Sequence, residues 1–232
     1  MKVLHKLVAA GLLASVVTAA PAMAQTAAQG PNSSATAERP QAGQQPQDQI
    51  LVAQELYQLG VAERDPVLVI AAARIMARVG SSEVTRESTT DAPATATAPT
   101  TRVPDLAMAI DTARQLAQGN TQLLAMVDGL GTQAQRGRVA GPGFVDNWVA
   151  PGFQRDFTIN FQGREYAQVW LAGDGNSLLN LQVFDENGNH LCTARRAGDR
   201  QSCGWTPVWT GSFRVRIVNV GGTPSNFRMS TN

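Results

Sequence analysis

At 232 residues the chain is long enough for more than one domain and for a sizeable core. Its 19 Lys and Arg balance 18 Asp and Glu, so there is no basic field to hold phosphates, which argues against a nucleic-acid partner. Two cysteines and two histidines leave little material for a zinc site.

The N-terminus reads MKVLHKLVAAGLLASVVTAAPAMAQT, with Lys2 and Lys6 in a basic head, an apolar run from Leu7 to Ala20, and the small residues Ala22 and Ala24 around Met23. This pattern predicts a signal peptide over residues 1–24, cut after Ala24. The run is shorter than the roughly 20 residues needed to cross a bilayer, and Pro21 ends it. No later segment is apolar enough to span, so a periplasmic or secreted bacterial protein without a transmembrane segment is expected after cleavage. Cleavage also removes both lysines, leaving 17 basic residues against 18 acidic ones. In an exported chain, Cys192 and Cys203 are expected to pair, and a loop this short would contribute about 2–3 kcal/mol through the unfolded state.

Residues 25–47 are Gln, Ala, Pro, Ser and Thr with almost no large apolar side chain, the composition of a disordered tether. A helical region is expected over 48–136. Its first helix runs from Asp48 with Val52, Leu56 and Leu59 as an apolar stripe and Gly60 as its stop. A second has Asp65 as N-cap, Pro66 at the first helical position and Gly80 at the close, with Leu68, Ala72, Ile75 and Val79 in line. Residues 81–103 return to Thr, Ala, Ser and Pro and read as a flexible insert. A third helix starts near Asp105 and carries Leu106, Ile110, Ala113 and Leu116; a fourth follows Asn120 with Leu123, Val127 and Leu130. The two hairpins predict a bundle or a short helical repeat, either of which offers a surface for self-association or docking.

Over 137–232 the period changes to two. Phe157, Ile159 and Phe161 are followed by Ala167, Val169 and Leu171, then Leu179, Leu181 and Val183, then Phe213, Val215 and Ile217, and last Phe227 and Met229. Turn signals at Gly163, Gly173 to Gly175, Asn187 and Gly188, and Gly221 to Pro224 separate the runs. The fold class expected is α+β in two parts, helical hairpins followed by an antiparallel jelly-roll-like β-sandwich.

The run GDGNSLLNLQVFDENGNHLC, the stretch CGWTPVWTGSFRVRIVNVG and the ending SNFRMSTN together resemble the bacterial pre-peptidase C-terminal domain. The resemblance rests on a strand ending in an aspartate-bearing hairpin, the Thr-Gly-aromatic start of the strand from Thr210 to Asn219, and a last aromatic strand. It covers less than half of the chain and implies a secreted, non-catalytic accessory module, here without an attached peptidase. Many such domains carry alternating aspartates that serve calcium. Here Leu178, Leu179, Asn180 and Leu181 stand in that stretch, leaving Asp174, Asn176, Asn180 and Asp185 as a reduced set of calcium ligands. No cofactor is required by this reading.

Chemistry is sparse. His190 is the single histidine after cleavage, no Gly-x-Ser-x-Gly elbow is present, and the carboxylates of the β region sit mostly at turns or on solvent faces. The tryptophans are the better clue. Trp170 lies between Val169 and Leu171, so alternation points it away from the core, where an exposed indole stacks on a sugar or packs on a neighbouring domain; Trp205 and Trp209 follow Cys203, where each either binds a ligand or shields the disulfide. The leading expectation is a non-catalytic binding or accessory protein of the cell envelope, recognising a polysaccharide or protein partner. The alternatives are a carbohydrate-binding protein using Trp170, Trp205 and Trp209, and a hydrolase with an acidic site.

Overall fold

A computed structural model describes residues 30–34, 46–134 and 142–232. The expected leader and most of the expected tether lie outside these residues. Four helices precede most of the β-structure: α1 (Pro46–Ala62), α2 (Pro66–Val79), α3 (Leu106–Leu116) and α4 (Thr121–Ala134). The N-caps of α2, α3 and α4 are those read from the sequence. Asp65 accepts the Val67 and Leu68 amides at 2.7 and 3.4 Å, Asp105 accepts that of Met108 at 2.8 Å, and Asn120 accepts those of Gln122 and Leu123, both at 3.1 Å.

α4 buries Val127 and Leu130 as expected, whereas α1 buries a different face. In α1 the buried residues are Gln47, Ala53, Gln54, Tyr57 and Gly60, whereas Val52 and Leu59 stay half exposed. Gly60 does not stop α1. It lies where a Cβ would come within 2.7 Å of Val69 on α2, so its missing side chain lets the two helices approach closely. The chain reverses instead at Arg64, with φ of 55°. Small residues dominate the helical core: Ala53, Ala72, Ala73, Ala109 and Ala113 pack with Tyr57, Val69, Ile70, Met76, Val127 and Leu130. α2 is central and touches the other three helices.

Among the described residues the ten strands are β1 (Ser82–Glu83), β2 (Ser88–Thr90), β3 (Gly143–Val149), β4 (Gln154–Phe161), β5 (Ala167–Gly173), β6 (Leu179–Phe184), β7 (His190–Ala194), β8 (Arg200–Trp205), β9 (Gly211–Asn219) and β10 (Ser225–Thr231). They form two five-stranded sheets, sheet A in the order β1-β3-β10-β5-β8 and sheet B in the order β2-β4-β9-β6-β7. All pairs are antiparallel except β1 with β3. Strands β3 to β10 pass between the sheets in jelly-roll order, as the expected fold class requires. Their inward residues, among them Phe157, Val169, Leu181, Phe213, Val215 and Phe227, are fully buried and form one core.

Both margins of the sandwich are closed by devices linking the sheets. On one side Cys192 in β7 and Cys203 in β8 are disulfide-bonded, joining the last strands of sheets B and A. On the other side the segment 81–103 corrects the expectation of a flexible insert. Its β1 pairs with β3, its β2 pairs with β4, and the Thr90 hydroxyl donates to the Gln154 carbonyl at 2.7 Å. Polar composition did not prevent pairing, because an edge strand facing water needs backbone partners more than a hydrophobic face. The tether expectation is corrected at residues 30–34 for a related reason. Asn32 is fully buried against the sandwich, its side-chain carbonyl accepting the Val208 and Trp209 amides at 2.8 and 3.1 Å and its backbone amide donating to Asp185 at 2.9 Å.

Candidate functional site

The outer face of sheet A is where the two parts of the chain meet. Val145 and Val149 of β3 point into the core, so Phe144, Asp146 and Trp148 project outward. The register sets these opposite Ser230, Arg228 and Asn226 of β10, which in turn stand beside Trp170, Ala172 and Asp174 on and just after β5. Three rows therefore cross the face: Phe144–Ser230–Trp170, Asp146–Arg228–Ala172, and Trp148–Asn226–Asp174.

The first row is roofed by helices. α1 lies over β5, and the Trp170 indole donates to Asp48 at 2.7 Å. Trp170 points outward, as alternation predicts, and at 2% exposed it packs against the helical part, the second of its two expected roles, and offers no free platform. An open cleft of about 630 Å³ remains beside it, between Met76, Leu106 and Ile110 of the helices and Phe144 of the sheet, with Glu83 and Asp105 at its rim.

The middle row is an ion pair. Arg228 binds Asp146 through two bonds of 2.7 Å, and its guanidinium carbon lies 3.9 Å from the Phe144 ring centroid. Beyond it the third row floors a second cleft of about 420 Å³, walled by Pro99 to Val103 with Trp148 and Asn226 beneath. That wall is tied down. The Asn226 amide donates to the carbonyls of Pro99 and Thr101, and the Thr101 hydroxyl donates to Asp174 at 2.6 Å while accepting from Asn176 at 2.8 Å.

The four residues expected as calcium ligands are not brought together. Asp174 accepts from Thr101, Ser225 and the backbone amides of Asn176 and Asn226, so its oxygens anchor the wall of the cleft. Asn180 sits within β6 opposite Val218. Asp185 lies past the far end of β6, where it accepts the amides of Asn187 and Asn189, the Asn189 side chain and the Asn32 amide. Burial pushes its pKa up, but these hydrogen bonds outweigh burial and hold the carboxyl below its ordinary value. Among the described residues no three His, Cys, Asp or Glu side chains converge on a metal-sized site.

The remaining tryptophans are committed to the fold. Trp205 is 5% exposed and packs edge-on against Phe161 at 4.9 Å between ring centroids. Trp209 donates to Glu186 at 2.5 Å, and its backbone is clasped by Asn32. His190 stands at the start of β7 against Thr193 and the Phe184 ring, and Asp156 is held by Arg216 through bonds of 2.8 and 2.7 Å. Trp148 is the tryptophan that lines a sizeable cleft. Sequence reading did not single it out because β3, a strand with Asp146 and Asn147 at its centre, lacks an alternating apolar signal.

No protein-family model and no curated protein matches the chain. Among solved structures, it is similar to the pre-peptidase C-terminal domain of a collagenase from Bacillus anthracis, with 8% identity and a TM-score of 0.32, over 38% of this chain and 87% of that one. It is also similar to a periplasmic inhibitor of g-type lysozyme from Aeromonas hydrophila, with 11% identity and a TM-score of 0.30, over 39% and 86%. A third is TmCBM61 in complex with β-1,4-galactotriose, with 15% identity and a TM-score of 0.27, over 38% and 69%. Each of these likenesses concerns architecture alone.

Proposed function

We propose that the chain is an exported, non-catalytic binding protein of the bacterial cell envelope, which holds an envelope polymer or protein along the outer face of sheet A. The observation that carries this reading is the pair of clefts at the junction of helices, linker and sheet. Their volumes of about 630 and 420 Å³ fall in the range of small-ligand sites, and such sites favour junctions between substructures. Export is supported by the leader and by the disulfide between Cys192 and Cys203, since such bonds persist in oxidising compartments.

The test is thermal unfolding of the purified protein with solubilised peptidoglycan and with envelope protein extract, because a ligand of the folded form raises the midpoint. A rise is expected with one of them, and it should shrink when the larger cleft is filled by Ala107→Trp or the smaller is altered by Trp148→Ala. A rise equal in both variants would place binding elsewhere and overturn the reading.

A further inference from the structure

We infer that the smaller cleft is a subsite for an uncharged saccharide, with the Trp148 indole as its stacking platform; the inference rests on the outer face of sheet A being the binding face. An oligosaccharide presents apolar C–H faces ringed by hydroxyls, so a site for it needs an aromatic plane beside short, fixed polar groups. Trp148 is partly buried on β3 yet lines the cleft, and Asp146 and Asn147 precede it on the same strand. Its strand is fixed from behind by Arg155, which donates to the Trp148 carbonyl at 2.8 Å and sets its guanidinium carbon 5.9 Å from the indole centroid.

Charge selects against an acidic or phosphorylated ligand. Arg102 at the rim is paired with Asp105 at 3.3 Å, and Asp146 is paired with Arg228 at 2.7 Å, so each charged group of the cleft already has its counter-ion. Asp146 keeps 42% of its side chain exposed and retains acceptor capacity for sugar hydroxyls. The opposite wall is held in place before any ligand arrives, because Asn226, Asp174 and Asn176 bind residues 99–101 through the contacts already described. A wall fixed in advance removes the ordering cost that weakens loop-built sites. Two of the four candidate calcium ligands, Asp174 and Asn176, thus help to position this wall.

The experiment uses the purified protein labelled with 15N at its tryptophan indoles, titrated with cellotetraose, chitotetraose and maltotetraose, with tetragalacturonate as an anionic control. The Trp148 indole signal, assigned by Trp148→Phe, should shift saturably with at least one neutral sugar and not with the anionic one. Trp148→Ala should weaken that binding tenfold or more, Trp148→Phe by only a few-fold, and Trp209→Phe not at all; matched unfolding midpoints for Trp148→Phe and the parent guard against misfolding. Saturable sugar binding untouched by Trp148→Ala, or no binding of any neutral sugar, overturns the inference. If peptidoglycan binding is then lost in Ala107→Trp and kept in Trp148→Ala, the binding-face reading stands alone; if the protein binds neither peptidoglycan, envelope protein nor oligosaccharide, both fall.

Discussion

Asp185 shows how one carboxylate can be reassigned by its surroundings. From sequence it is a turn residue with acceptor oxygens, and both a calcium ligand and a turn former fit that description. In the fold it accepts three donors from its own hairpin and a fourth from Asn32, more than 150 positions away. No local pattern announces a donor so remote in the chain, which is why the docking of residues 30–34 was illegible. Because its folded pKa is depressed, Asp185 contributes stability that is complete above its unfolded value of about 4 and is lost as pH falls through the folded value. Asp185→Asn should cost about 2 kcal/mol at pH 7, since an amide places a donor against donors, and should flatten the fall of the unfolding midpoint between pH 5 and 3. Amide exchange at Asn32 would report the same loss locally.

At the scale of elements, strands with a clear period of two were legible: β4, β5, β6, β9 and β10 fall on the expected runs. Of the strands that escaped, β1, β2, β7 and β8 are the four edge strands, where apolar alternation is weak, and β3 carries Asp146 and Asn147 at its centre. Helix caps were legible because capping is local chemistry. The face of α4 was legible too, but that of α1 was not, because α1 turns its small and amide residues inward to meet α2 and β5. The bond between Cys192 and Cys203 closes a separation of 11 residues between margins of the two sheets. Replacing both cysteines by serine should lower the unfolding free energy by about 2–3 kcal/mol and the midpoint by roughly 5–10 °C. Calorimetry checks this. Ligand binding should persist, since β8 lies at the opposite side of sheet A from β3.

For the whole molecule, the seam between helices and sandwich sets how rigid the binding face is. It is held by Trp170 and Asp48, but it also buries Gln54, 1% exposed, with neither amide atom bonded among the described residues. An unbonded buried amide is costly, so Gln54→Met should raise stability by about 1 kcal/mol and the midpoint by roughly 2–4 °C, measurable by thermal unfolding. A different consequence follows from the strip that runs along the free margin, where Ser82 to Thr90 supplies β1 and β2 between the second and third helices. Cut away from that strip, the jelly roll would present the unpaired backbones of β3 and β4 side by side, templates for fibre-like stacking of one copy on the next. The polar connector thus caps both sandwich edges at this margin, and a fragment that starts at residue 137 would lack those caps.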